Sequence, residues 1–213
     1  MTEPLLELRN LYCERDDAPL FAPLSLTLRG GDVMQLEGAN GVGKTSLLRC
    51  LGGLSSRYRG DLLWRGAPLQ RQRPGFAADS IFLGHATGLK AALSCRENLL
   101  WWASLRGVDA GEELDAALAR VGLVGYEDAP CYQLSAGQQR RVALARLFLA
   151  PAALWILDEP FTAIDRQGAA ELEHWLSAQA QAGGAVLLTT HQTLHLDRPL
   201  LKVALVASAG GDE

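Results

Sequence analysis

The sequence lacks three things: a basic field, a long apolar run and closely spaced cysteines. Its 20 Lys and Arg are outnumbered by 24 Asp and Glu, giving a formal net charge of −4. A phosphate-backbone partner requires a cationic surface, so a nucleic-acid partner has little support. The longest apolar stretches, such as Ala152–Leu157 and Val203–Ala207, fall well short of the roughly 20 residues a bilayer-spanning helix needs, and no membrane crossing is expected. Cys13, Cys50, Cys95 and Cys131 lie far apart with no Cys-x-x-Cys pairing. That spacing argues against a zinc site or a redox motif, and the four read as reduced, buried, small hydrophobic residues. The Met-Thr-Glu-Pro opening has no basic segment followed by an apolar core, so no secretory signal is expected and the chain should remain in the cytoplasm. What is present is enough hydrophobic material, 48% of 213 residues, to fill the core of one domain.

The apolar pattern alternates between strand and helix. Leu5–Leu11 and Leu24–Leu28 predict an N-terminal β layer, punctuated by Gly30-Gly31. Val33–Glu37 then runs through a glycine-rich turn into Thr45–Leu54, which has helical spacing. The same order returns in Ala153–Leu157, a helix from about Gln167 to Ala182, and Ala185–Thr189. Strands separated by helices imply a parallel sheet with helices on its faces. Between these halves, strand signals vanish and three helical stretches follow: Arg96–Leu105, Glu112–Val121 and Ala136–Leu149. One domain is therefore expected, with 1–84 and 150–213 forming an α/β core and 85–149 an inserted helical subdomain packed against it. The closing Ala-Gly-Gly-Asp-Glu reads as a frayed tail.

Gly38-Ala39-Asn40-Gly41-Val42-Gly43-Lys44-Thr45, followed by Ser46, satisfies the phosphate-loop pattern G-x-x-x-x-G-K-[ST] between a strand and a helix. Glycines let backbone N–H groups converge on phosphate oxygens, and the positive end of the helix adds to them. In that setting Lys44 should reach the β/γ-phosphates of a nucleotide and Thr45 should ligate Mg²⁺. Asp158 and Glu159 end an apolar strand. Adjacent strand side chains point opposite ways, so the two share a site only if the chain turns there, and Pro160 is consistent with a turn. Asp158 is the candidate for the Mg²⁺ shell and Glu159 for the general base. Leu134-Ser135-Ala136-Gly137-Gln138 precedes a long helix. Ser135-x-x-Gln138 is a capping box whose exposed N–H groups also make an anion site.

Taken in order, the phosphate loop, Leu134–Gln138, Asp158-Glu159, Ala163-Ile164-Asp165 and Thr190-His191 resemble the motifs of ABC-family ATPase domains over nearly the whole chain. The resemblance implies an ABC ATPase (P-loop NTPase) α/β fold with an antiparallel N-terminal β layer and an inserted helical subdomain. It also implies a homodimer in which Ser135 and Gly137 of one copy close over the γ-phosphate held by the other copy's Lys44, with His191 as the switch histidine and Asp165 in a loop crossing the interface. Two departures stand out. His85 occupies the position where the family usually has glutamine, and Arg15 falls where an adenine-stacking aromatic is usual, with Tyr12 and Phe21 nearby.

Cys13-Glu-Arg-Asp16, Leu83-Gly-His85, Gly88-Leu-Lys90 and Gln133–Arg141 are similar to the heme-exporter ATP-binding subunits of bacterial cytochrome c maturation, the CcmA type. That resemblance implies two copies on the cytoplasmic face of the inner membrane, working with membrane subunits of the CcmB, CcmC and CcmD type. Hydrolysis would then release a heme-loaded chaperone of the CcmE type. Nothing in the chain recognises heme: the four histidines are dispersed, and Pro130-Cys131 reverses the Cys-Pro heme dipeptide. Neighbouring helix residues sit about 100° apart, so one core-facing stripe struggles to bury both Trp101 and Trp102, and one of them could meet a membrane-subunit helix. The alternatives fit less well. A transporter for another cargo shares every motif. A soluble ABC protein acting on ribosomes or DNA would usually carry two ATPase domains or long coiled coils. A GTPase would need Asn-Lys-x-Asp, and a small-molecule kinase would leave Leu134–Gln138 and His191 without a role.

Overall fold

A computed structural model describes residues 3–111 and 113–208. The expected tail at 209–213 and the expected helix start at Glu112 lie outside those residues. In chain order the elements are β1 (Pro4–Arg15), β2 (Ala18–Pro19), β3 (Leu24–Arg29), β4 (Val33–Glu37), α1 (Lys44–Leu51), β5 (Tyr58–Trp64), β6 (Ala67–Pro68), α2 (Arg73–Asp79) and β7 (Ser80–Leu83). They continue with α3 (Cys95–Leu105), α4 (Glu113–Arg120), α5 (Ala136–Ala145), β8 (Leu154–Asp158), α6 (Arg166–Gln181), β9 (Ala185–Thr189) and β10 (Leu200–Ala204).

Two sheets form. In the first, β1 pairs antiparallel with β2 and β3 on one side and β5 on the other, and β6 extends β5. The second is wholly parallel, in the order β10-β4-β9-β8-β7. Every residue of β8 and β9 is buried, as expected of strands covered on both faces. Alternate side chains feed two cores. Met34, Leu36, Ile156 and Leu187 pack towards α1 and the antiparallel sheet. Val33, Leu157, Val186 and Leu188 pack towards α3–α6. The helices inserted between β7 and β8 therefore share a core with the sheet, and a bridge between Ser94 and Pro130 ties their connections.

Local chemistry sets the helix ends. Ser94 starts α3 and Ser135 starts α5, each through a reciprocal capping box, with Glu97 and Gln138 at the third position. The single helix expected over Ala136–Leu149 instead tightens into a 3₁₀ turn at Arg146–Phe148, a common way to end an α-helix. Six elements were not anticipated: β2, β5, β6, α2, β7 and β10. β7 has only four residues and β10 is largely exposed, so neither carries a clear period. Gly60 interrupts β5 with φ +92, and a Cβ there would fall 2.3 Å from the Asn10 carbonyl oxygen. The strands meet too closely at that point for any side chain, which breaks the alternation that marks a strand.

Candidate functional site

The site grows from the carboxyl ends of β4, β8 and β9, which lie side by side in register. β4 delivers the loop at 38–43 to the first turn of α1. Gly43 caps α1 with φ +110, and a Cβ there would meet Phe21 at 3.1 Å, so both conformation and space demand glycine. Lys44 Nζ curls back to donate to the carbonyls of Gly38 at 2.7 Å and Ala39 at 3.1 Å. Asn40, Gly41, Gly43, Lys44, Thr45 and Ser46 line a cavity of about 390 Å³. Val42 is instead turned into the core, and Gly38 and Ala39 serve the loop by holding Lys44.

Asp158, Glu159 and His191 complete that cavity. Asp158 is only 2% exposed. Its Oδ1 accepts from Thr189 Oγ1 at 2.8 Å, whereas its buried Oδ2 has no partner among the described residues. The chain does turn at the acid pair: Glu159 itself takes φ +51. A left-handed glutamate is costly by roughly 1–3 kcal/mol, and such strain clusters at functional sites. Here the Glu159 N–H donates to Thr189 Oγ1 at 2.9 Å, which helps hold the turn. The reversal lets both carboxylates line one cavity, and Glu159 Oε1 lies 3.4 Å from His191 Nε2.

Thr189 was not singled out from sequence, yet its one hydroxyl bridges both acids. Arg15, at the end of β1, also lines the cavity. His85 is not in the cavity itself but lines a neighbouring one of about 300 Å³ that shares Thr45 and Asp158. Its loop is clamped from α5. Arg140 donates to the carbonyls of Gly84 at 2.9 Å and His85 at 2.7 Å, and Arg146 donates to Thr87 at 2.9 Å. Burial lowers both guanidinium pKa values, that of Arg146 to about 10, while the Asp158 and Glu159 carboxylates oppose the shift at Arg140. Arginines on the apolar face of a predicted helix were the available signal, since a buried cation requires acceptors.

Ser135, Gly137 and Gln138 do not line either cavity. They sit at the exposed start of α5, where Ser135 Oγ accepts from the Gln138 N–H at 3.2 Å and Gln138 Oε1 accepts from the Ser135 N–H at 2.9 Å. A Cβ on Gly137 would fall 2.6 Å from the Ala163 carbonyl oxygen, so the turn after Glu159 rests against this helix start. Asp165 caps α6 by accepting from the Gly168 N–H at 2.9 Å and pairs with Arg141 at 2.8 Å. The Gly168 bond and Arg141 hold its carboxyl below the usual range.

A phosphate loop converging with a strand-end acid pair and a histidine has a counterpart among known proteins: the ABC transporter family matches residues 21–162. The chain belongs to the ABC transporter family. It is 52% identical over 204 residues, 96% of this chain and 97% of the relative, to the cytochrome c biogenesis ATP-binding export protein CcmA of Hahella chejuensis. It is also 52% identical to the protein of the same description from Pseudomonas fluorescens, over 91% of this chain and 92% of that one. A solved ABC transporter ATP-binding protein from Pyrococcus furiosus superposes with a TM-score of 0.81 at 26% identity, covering 95% of this chain and 99% of that one. As an ABC transporter ATPase the family member binds ATP and works with membrane partners. No helix among the described residues is long and apolar enough to cross a membrane.

Proposed function

We propose that this chain is the ATP-hydrolysing subunit of a cytochrome c biogenesis exporter, acting as two copies with two ATP molecules between them. The observation that carries the site is Asp158 Oδ2, a buried carboxylate oxygen with no partner, in a cavity it shares with Thr45 and Lys44. An unpaired buried charge is costly. An oxygen-only donor set beside a phosphate loop suits Mg²⁺, held by Thr45 and Asp158. Bound there, Mg²⁺ would offset the charge on the β/γ-phosphate oxygens.

Lys44 exchanges its two loop carbonyls for phosphate oxygens, and the N–H groups of 39–46 cradle the same phosphates. Glu159, held by its reversed turn, takes a proton from the attacking water. His191, within reach of Glu159, contacts the γ-phosphate, and His85 approaches from the adjacent cavity. Ser135, Gly137 and Gln138 do not line their own copy's cavity, so a second copy supplies them, with Asp165 at the shared interface. Arg15 stands where the base would lie.

The proposed setting is the cytoplasmic face of the inner membrane, with partners of the CcmB, CcmC and CcmD type and a heme chaperone of the CcmE type served indirectly. Trp101 is 40% exposed, whereas Trp102 packs against the core, so Trp101 is the one available to a membrane-subunit helix. The test is Lys44→Ala in a host lacking its own copy. It should abolish ATP hydrolysis and holo-cytochrome c formation without lowering Tm. Hydrolysis lost with holo-cytochrome c normal would assign the chain to another cargo, and hydrolysis retained would remove the site.

A further inference from the structure

Two of the four cysteines, separated by 37 positions in sequence, meet in the fold. Cys13, near the end of β1, and Cys50, in the last turn of α1, have their Sγ atoms 3.6 Å apart, Cys13 donating to Cys50. Neither belongs to the proposed phosphate site, and both side chains are buried. A cavity of about 120 Å³ nevertheless reaches them, lined by both sulfurs' residues together with Arg49, Ser55, Arg15 and Ser46. Arg15 and Ser46 also line the nucleotide cavity.

We propose that Cys13 and Cys50 form a peroxide-sensitive dithiol, and that its oxidation to a disulfide ties β1 to α1 and weakens nucleotide binding. The second half of that statement rests on the nucleotide-site reading; the first does not.

The hydrogen bond from Cys13, with help from Ser55 and the Arg49 charge, lowers the Cys50 thiol to about 7, while Cys13 is raised. Cys50 is thus the attacking thiolate at neutral pH and Cys13 the resolving thiol. The cavity suits a small oxidant such as hydrogen peroxide. Cys50 sulfur attacks one peroxide oxygen, the O–O bond breaks, and hydroxide leaves, to be neutralised by the proton Cys50 had lost. Cys13 sulfur then attacks the Cys50 sulfenic acid, the S–O bond breaks, and water departs with the Cys13 proton. Two thiols lose two electrons and one peroxide becomes two waters. Closing 3.6 Å to the roughly 2.0 Å of a disulfide draws the end of β1 towards α1. Arg15 lies two residues beyond Cys13, and Ser46 lies one turn before Cys50. The pull therefore acts on the base side of the nucleotide cavity rather than on Glu159.

The experiment treats the full-length protein with hydrogen peroxide, caps free thiols with N-ethylmaleimide, and maps tryptic peptides by mass spectrometry. The expected product is Asn10–Arg15 joined to Cys50–Arg57, released by dithiothreitol. Cys13→Ser and Cys50→Ser should each abolish it, and Cys95→Ser should not. In parallel, a fluorescent ATP analogue should bind roughly tenfold more weakly to the oxidised wild type, reversibly, and normally to oxidant-treated Cys13→Ser. Irreversible acids without the cross-link, or a Cys95–Cys131 link in its place, would overturn the dithiol. A cross-link with unchanged analogue binding would overturn its effect on the site. Lys44→Ala should still cross-link while binding no analogue. If the reduced wild type also binds none, the nucleotide reading fails and the dithiol stands.

Discussion

Replacing Thr189 with valine removes one hydroxyl and almost no volume, and it tests how the two acids are held. That hydroxyl is fully buried, donates to Asp158 Oδ1 and accepts the Glu159 N–H. A hydrogen bond to a charged group contributes about 1.5–3 kcal/mol, and an orphaned backbone N–H costs about 1 kcal/mol or more. The added methyl returns less than about 1 kcal/mol, leaving a net loss of about 2–4 kcal/mol. For a chain of this size each kcal/mol shifts Tm by about 2–4 °C, so Thr189→Val should melt roughly 4–16 °C lower. Asp158 would then have neither oxygen bonded, and the left-handed turn at Glu159 would lose its anchor, so kcat should fall by about tenfold or more. Thr189→Ser keeps both bonds and should recover most of both losses. Scanning calorimetry and a coupled ATPase assay provide the measurements. A valine variant that melts within a degree or two of wild type and turns over normally would show that Thr189 does not hold the acids.

Glu159→Gln should bind ATP and accumulate as a closed dimer in light scattering with Mg-ATP, and adding Ser135→Arg should prevent it; wild-type hydrolysis in the single variant would remove Glu159 as base. His85→Gln should retain ATPase activity and cytochrome yield, whereas His85→Ala should lower one or both; indistinguishable variants would take His85 out of the site. Arg140→Met should leave the Gly84 and His85 carbonyls without their buried donor, costing about 2–4 kcal/mol in a denaturant melt, and a cost below about 0.5 kcal/mol would mean that the clamp is dispensable.

What the sequence disclosed was everything with a local signature. The phosphate loop, the Ser135 capping box and the fully buried strands β8 and β9 announce themselves through residue type at short spacing. Gly38–Ser46 could be placed because a strand and a helix bracket it. Hidden were features that depend on what another segment brings. β5 is irregular because it must pass the backbone at Asn10, and β10 takes its place beside β4 although little of it is buried. Thr189 gains its importance from Asp158 at the end of the next strand and Glu159 in the turn after it, and the cysteines predicted to be isolated meet only because α1 packs on β1. The turn at the acid pair was legible beside Pro160, whereas the left-handed conformation of Glu159 was not, because a left-handed glutamate has no sequence mark.

The strand order also bears on when the site comes into being during synthesis. β4 and its loop leave the ribosome early, yet β4 lies between β9 and β10, which are made last. Val33 waits for Val186, and Asp158 waits for Thr189. At about 5–20 residues per second, the nascent chain spends several seconds with a phosphate loop and no completed strand beside it. During that interval Glu159 has neither its turn anchor nor His191. On the proposed roles of Glu159 and His191, a growing chain should not hydrolyse ATP, and a truncated one ending before β9 should be silent rather than wasteful.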